Sequence, residues 1–505
     1  MSQEFLNAKA IYKCNDNLID YILTVDIVDK AIAKLKLGKS PGADSLSGEH
    51  LKHAHPILIS LLTKLFNIMI IIEYVPNAFG VSTIVPVPKA GKPNNVVDGY
   101  RGISLTPVIS KIFEQGLLII FHPFLQTSER QFGFKTGSSC TSAIYAVRQT
   151  IEYFVKKNST VTVCSLDMEK AFDKMNRHAL FIKMMSRGCP LTLINLIDGW
   201  FIKSVACVRW GEGMSDQFSV KSGTRQGGVL SPALFAIFVN DVLLRLEESN
   251  MGCFVHNVCC NAFLYADDLI LMSLSIHDMC SLLDICRKEL AWLDMRVNVV
   301  KSSAMRVGER WNVPLDPLMM GGESLPWVKE IKYLGMTFIA AKVFTICLHS
   351  AKIRFFQSLN AILGKIGDMG AIPLIVSITT TNCLPIISYG LESCSLTKAQ
   401  LQSFEYAYRA TFCRLFKTFD KKIIAQCQYY MGSLPGHYEL DLGKLRFLNR
   451  LQQGSDSPAG FLCFAVGGEE CSVLERKYNV KLPVGNAQLK NAVWALFEQE
   501  ITALI

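Results

Sequence analysis

Residues 261–273, NAFLYADDLILMS, set two adjacent aspartates, Asp267 and Asp268, inside a run that is otherwise almost wholly apolar. Apolar stretches on both sides of an acidic pair predict a buried hairpin with the acids at its turn. Neighbouring residues on a regular strand face opposite ways, but in a tight turn both carboxylates can approach one site. An Asp-Asp pair is more often a solvated turn, so its meaning depends on what else the chain carries.

Two further features combine with it. VTVCSLD, 161–167, is a short β-branched run ending in Asp167, read as a strand that presents an acid at the edge of an α+β sheet. SGTRQGGVLSP, 222–232, places Gly223, Gly227 and Gly228 just before the helical stretch SPALFAIFVNDVLLRLEE, with Ser231 expected as N-cap and Pro232 at the first helical position. Backbone groups in such a loop can lie close to a nucleotide. Nucleotidyl transfer uses a set of this kind, in which two Mg²⁺ ions roughly 3.5–4 Å apart stabilise the attacking 3′-oxygen and the leaving pyrophosphate. Mg²⁺ takes only one or two protein carboxylates besides phosphate and water, so three acids from distant segments suffice. No general-base histidine is required.

The rest of the chain alternates in texture. Ile27, Ala31 and Leu35 recur at helical spacing up to a stop near Gly38, and Ser47 is placed to cap a following helix. STIVPVP is strand-like, KAGKP is a turn, and Pro107 to Phe124 reads as helix. MEKAFDKMNRHALFIKMM and SLLDICRKELAWL are helix-compatible, FSVKSGTRQGGVL begins as a strand, and WVKEIKYLGMTFI is strand-like. Beyond 341 the pattern is mostly helical to about 450, and no internal repeat is visible.

With 505 residues, half of them hydrophobic and 19% charged, the chain can bury a sizeable core and is not a disordered or low-complexity protein. The net charge of +9 is modest, but residues 341–450 hold thirteen basic against six acidic side chains. A local excess of that kind fits a partner with a phosphate backbone. Residues 451–505 carry four basic and six acidic side chains and suggest no role. The seventeen cysteines show no CxxC pair and no Cys/His knuckle spacing, so reduced, buried thiols in an intracellular protein are expected and a zinc site is not. The N-terminus lacks a signal pattern, and the apolar run Ile57 to Ile72 is too short and interrupted by Lys64 to span a bilayer. No membrane association is expected.

YADD, 265–268, resembles the signature hairpin of reverse transcriptases, and SLDMEKAFD, 165–173, resembles their first catalytic segment. SGTRQGGVLSPALFAIFVND (222–241), KSPGADSLSGEHLK (39–52), VPVPKAGKP (85–93) and YRGISLTPVISKIFE (100–114) are similar to blocks of LINE-type non-LTR retrotransposon polymerases. QFGFKTGSSCTSAI (131–144), VNVVKSSAM (297–305) and KYLGMTF (332–338) follow in that family's order, so the resemblance spans roughly 25–420. It implies an α+β right hand: an N-terminal extension and fingers over 1–155, an antiparallel-sheet palm over 156–340, a helical basic thumb over 341–450, and a C-terminal region, 451–505, of unknown role. Asp167, Asp267 and Asp268 would hold two Mg²⁺ ions, with Mn²⁺ as a substitute. Phe172 would lie beneath the sugar and exclude a 2′-hydroxyl, although it could equally be a core aromatic. Lys89 and Arg101 would reach the triphosphate of the incoming dNTP. Gln226 and Gly227 would line the nucleotide and template pocket, and Lys301 would lie near the leaving phosphates. Tyr333, Leu334 and Gly335 would hold the primer end. The implied partners are an RNA template, a DNA primer and dNTPs.

Two positions depart from the pattern: Arg225 and Gly102 stand where the family usually has proline. An endonuclease is expected to be absent, which suggests a polymerase-only portion of a larger polyprotein. Two rival readings are a degenerate copy that binds nucleic acid without synthesis, and a maturase-like or telomerase-like polymerase. The family implies a nuclear and cytoplasmic location, which no compact basic import signal in the sequence supports.

Overall fold

A computed structural model describes residues 1–13, 21–89, 91–169, 171–366, 371–454 and 457–503. Ala90 and Lys170, which belong to two of the motifs above, lie outside the described residues. The chain forms two compact units, each drawn from several separate stretches.

The first unit takes residues Met1–Ser128, Met168–Arg245 and Ile285–Val297. The strands Val81–Pro88 and Tyr100–Leu105 make an antiparallel hairpin, with Val87 opposite Arg101. Val81–Pro88 also pairs in parallel with Val205–Trp210 on its other edge. The helix begun by the Ile27 pattern runs Val25–Ala33, five residues short of Gly38, with Thr24 Oγ1 accepting from Ile27 N as its cap. Ser47 immediately precedes the helix Gly48–Lys52, and its N–H donates to His50 Nδ1. In Ile57–Ile71 the buried positions Leu62, Phe66, Met69 and Ile70 share one helical face, and Phe66 packs on Phe113 at 5.1 Å. Among the described residues no helix is long and apolar enough to cross a membrane.

The stretch after Asp167 is not one helix. It divides into Ala171–Lys174 and Arg177–Ser186, because Asn176 stops the first and caps the second, its Oδ1 accepting from His178 N and Ala179 N. The glycine loop follows only a two-residue strand, Phe218–Ser219. Ser231 is the first helical residue of Ser231–Glu248 rather than its cap. Its hydroxyl stands against Gly228, where a Cβ would meet it at 2.8 Å.

The second unit takes Glu129–Asp167, Leu246–Asp284 and Asn298–Ile505. Its centre is a four-stranded, wholly antiparallel sheet in the order Ser303–Val307, Val161–Asp167, Asp268–Ser273, Ala262–Tyr265. Gln131 adds a parallel bridge to Leu264 at the edge. The helix Cys140–Val155 is buried from Thr141 to Ile151. The strand-like stretch 327–339 is a hairpin, Glu330–Tyr333 with Met336–Ile339.

The C-terminal residues are helical too, in Pro458–Ala465, Gly468–Tyr478 and Asn486–Thr502. They belong to the same hydrophobic core as Cys140–Val155, with Tyr145 packed on Phe447 at 5.3 Å. Arg148, 1% exposed, is held in that core by Glu470 at 2.6 Å, by Glu152 at 3.5 Å and by the Ser395 hydroxyl. Lys444 adds a second ion pair to Glu470.

Candidate active site

Asp167 ends its strand and Asp268 opens the neighbouring one, and the two are register partners. Directly opposed residues on antiparallel strands bring their Cβ atoms within about 4.5–5.5 Å on one face. The hairpin Ala262–Tyr265 to Asp268–Ser273 turns through Ala266 and Asp267, so Asp267 projects from the turn beside this pair. Ala266 adopts φ +58°, a left-handed conformation that glycine would take more easily. Gly133 lies against this turn, and a Cβ there would run into Ala266 N. The tight turn is therefore clamped by the QFGF segment behind it.

The far end of the acid pair is also fixed. Asp167 N donates to Ser302 Oγ at 3.0 Å, and Asn298 N donates to Asp167 O at 2.8 Å. That loop sets Lys301 Nζ 3.3 Å from Asp167 Oδ2. Burial, and then the carboxylates of Asp267 and Asp167, push the Asp268 carboxyl up to about 6, with Lys301 opposing them. Three carboxylates thus share one neighbourhood with one ammonium group.

An excess of anionic charge in a partly buried place fits a divalent cation. The protein alone does not complete a cage, since no three His, Cys, Asp or Glu among the described residues converge as a ligand set. Mg²⁺ expects most of its shell from phosphate and water, so the donor set remains a suitable one.

Tyr333, Leu334 and Gly335 sit at the turn of their own hairpin, with Leu334 at φ +45° and Gly335 at φ +84°. Tyr333 is buried, and among the described residues its hydroxyl has no hydrogen-bond partner. Burial and then the Asp268 carboxylate raise its phenol well above the usual tyrosine range. Leu334 is half-buried, with its carbonyl accepting from Tyr389 Oη at 3.1 Å, and Gly335 is exposed.

The remaining sequence-derived residues lie in the first unit. Lys89 and Arg101 stand on the Val81–Pro88/Tyr100–Leu105 hairpin, both exposed, and Lys89 Nζ donates to Asp98 O at 3.0 Å. Phe172 stacks on Phe235 at 4.3 Å and is half-buried. Gln226 Nε2 donates to Asp173 Oδ1 at 2.7 Å, and Gln226 O accepts from Ser104 N at 2.7 Å. Gly227, at φ +129°, presses so close to Ser104 O that a side chain would collide with it. The glycine loop is thereby pinned along the strand Tyr100–Leu105.

Sequence reasoning missed what Arg225 does. Its guanidinium is buried, donates to Phe79 O at 2.6 Å, lies over the Trp200 ring at 4.9 Å and faces Glu114 at 3.9 Å. Trp200 Nε1 donates to the same carbonyl at 3.0 Å, and Glu114 Oε2 accepts from Leu230 N at 2.7 Å. Where the family uses a proline to shape this loop, a buried cation ties it to three neighbours. Only the presence of a lone glutamate in the apolar helix Val108–Ile120 hinted at such a partner.

An antiparallel sheet with acid opposite acid at one end, and a two-residue turn carrying a third, defines a polymerase palm of the reverse transcriptase class. Residues 87–338 match the reverse transcriptase (RNA-dependent DNA polymerase) family, and this portion of the chain belongs to it. The chain is 27% identical over 240 residues to a probable RNA-directed DNA polymerase from transposon X-element of Drosophila melanogaster, covering 46% of this chain and 26% of that protein. It is 24% identical over 320 residues to the retrovirus-related Pol polyprotein from the type-2 retrotransposable element R2DM of the same organism, covering 62% and 30%. A telomerase from Candida albicans, solved with a fragment of telomeric RNA, aligns over 88% of this chain and 68% of that one, at 11% identity and a TM-score of 0.41. The chain spans about a quarter to a third of the length of the two Drosophila relatives.

Proposed function

We propose that this chain is the RNA-directed DNA polymerase of a non-LTR retrotransposon, extending a DNA primer 3′-hydroxyl with dNTPs on an RNA template. The observation that carries the reading is the register pairing of Asp167 with Asp268, with Asp267 in the adjoining turn, inside a reverse transcriptase domain. Two Mg²⁺ ions bound by these acids, or Mn²⁺ in their place, would supply the charge stabilisation that phosphoryl transfer needs. Lys301, now paired with Asp167, would neutralise the departing pyrophosphate. Lys89 and Arg101 would take the triphosphate. Phe172, fixed by its stack on Phe235, would exclude a 2′-hydroxyl by bulk. Gln226 and Gly227, held to Ser104, would line the nucleotide and template pocket. The turn Leu334–Gly335, supported by Tyr333 beneath it, would steady the primer end. The fingers, palm and thumb divide near 155 and 340, with a basic thumb to 450.

Primer extension on poly(rA)/oligo(dT) with Mg²⁺, run beside Asp267→Asn, tests this. Synthesis by the parent chain and its loss in the variant is expected. A variant with full activity would sink the metal assignment. A folded parent chain that binds template without synthesis would favour the degenerate-copy reading.

A further inference from the structure

Tyr389 follows the short helix Leu384–Ser388 in the second unit, 55 residues along the chain from Leu334. Its hydroxyl nevertheless donates to Leu334 O at 3.1 Å. Its ring lies so close over Gly335 that a Cβ there would stand 3.1 Å from Cε1. The next residue, Gly390, takes φ +74° and backs onto Met336, where a Cβ would stand 2.9 Å from Sδ. The corner 389–390 thus grips three consecutive residues, Leu334, Gly335 and Met336. Leu334 needs such a hold, because φ +45° is a conformation that a side chain other than glycine keeps only where its surroundings enforce it.

The Tyr389 phenol has a second neighbour. Cys140, half-buried at the first position of the helix Cys140–Val155, hydrogen-bonds both to Tyr389 and to Tyr265. Burial and then Cys140 raise both phenols, that of Tyr265 up to about 12. The proton count fixes the directions. Tyr389 spends its one proton on Leu334 O, so it accepts from the Cys140 S–H, and the sulfur is left to accept from Tyr265 O–H. Tyr265 is the register partner of Asp268 in the acidic hairpin. A chain of contacts therefore runs from the Leu334 carbonyl through Tyr389 and Cys140 to the strand end that carries the aspartates, and all of it lies in the second unit.

We propose that Tyr389 is a positioning residue for polymerisation, setting the Leu334–Gly335 turn, and the primer end upon it, at a fixed distance from the aspartates, with Cys140 as the link to their hairpin. The role rests on the polymerase reading and on its assignment of the primer end to this turn. Tyr389 acts through Leu334 and touches neither primer nor metal. Displacing a reacting end by about 1 Å can cost about 10²-fold in rate. Affinity for the strand comes mainly from phosphate contacts spread along it, so the loss falls on the rate and not on binding.

The test is single-turnover addition of one nucleotide by the full chain on poly(rA)/oligo(dT) with Mg²⁺. Tyr389→Phe keeps the ring over Gly335 and deletes the hydroxyl. It should melt with the parent, keep the parental Kd for primer–template, and lose about tenfold in maximal rate. Cys140→Ala should lose rate in the same way, and Cys140→Ser should recover most of it. Tyr389→Phe/Cys140→Ala should be no slower than the slower single variant, because both changes break one chain of contacts. An undiminished rate in Tyr389→Phe overturns the proposal. So does weaker primer–template binding at the parental rate, which would put Tyr389 on the strand itself, and so do additive losses in the double variant. If Tyr389→Phe melts early, the comparison of Cys140→Ala with Cys140→Ser decides, and equal rates in those two overturn the proposal. No synthesis by the parent chain removes the polymerase reading and this role with it, whereas parental synthesis with any of the overturning results removes the role alone.

Discussion

Replacing Asp268 by asparagine should make the metal-free protein more stable at alkaline pH, although it removes one of the proposed metal ligands. The Asp268 carboxyl is raised from 3.8 to about 6, first by burial and then by Asp267 and Asp167. A carboxyl raised in the folded chain holds its proton more tightly folded than unfolded. Its favourable contribution is therefore complete below about pH 4 and lost as pH rises through about 6. Roughly two pH units correspond to about 3 kcal/mol. Asp268 is only half-buried, so solvent screening reduces this to about 1–2 kcal/mol. Asparagine keeps the shape and has no charge to lose. In EDTA at about pH 8 the variant should exceed the parent by that amount, and near pH 4 the two should coincide. Millimolar Mg²⁺ at about pH 8 should then stabilise the parent by mass action and leave the variant nearly unmoved. Urea unfolding monitored by circular dichroism, at both pH values and with and without Mg²⁺, measures all four cases. A variant less stable than the parent in EDTA at about pH 8 would refute the reasoning, because the acids would then not be repelling one another.

Glu470→Gln should destabilise the second unit by about 3–5 kcal/mol, because it leaves Arg148 buried with its main partner neutralised. Although burial alone would raise it, Arg148 and Lys444 hold the Glu470 carboxyl at about 2, below its ordinary 4.5. Its contribution is thus present above about pH 4.5 and lost as pH falls toward 2, the opposite direction to Asp268, and acid titration of parent and variant should converge there. Arg225→Met should cost about 2–4 kcal/mol in the first unit through the lost bond to Phe79 O and an unpaired Glu114. Adding Glu114→Gln should recover part of the loss, and equal denaturation midpoints for the single and double variants would count against the pairing.

The acidic hairpin was legible because its signal is local. An apolar run broken by two acids admits few other arrangements, and strand pairing then sets Asp268 against Asp167. The break at Asn176 was legible in principle, since asparagine is a strong cap, but the apolar periodicity on both sides concealed it. Arg225 was not legible. Its partners, Phe79, Glu114 and Trp200, belong to separate elements, and no periodicity links a loop arginine to a helix glutamate so far away. Residues 458–478 were unreadable for another reason. Pro458–Ala465 and Gly468–Tyr478 are short, and Pro458–Ala465 is largely buried, so neither offers a clear amphipathic stripe.

The Arg148 cluster bears on how the protein comes into being at the ribosome. Arg148 emerges first, and Lys444 and Glu470 are translated some three hundred residues later. Until they arrive, the helix Cys140–Val155 carries a cation that cannot be buried without a large desolvation cost. The strand ending in Asp167 likewise waits for the strands at 268–273 and 303–307. The second unit is therefore assembled only once its last helices have been translated, and they close what its first helix began.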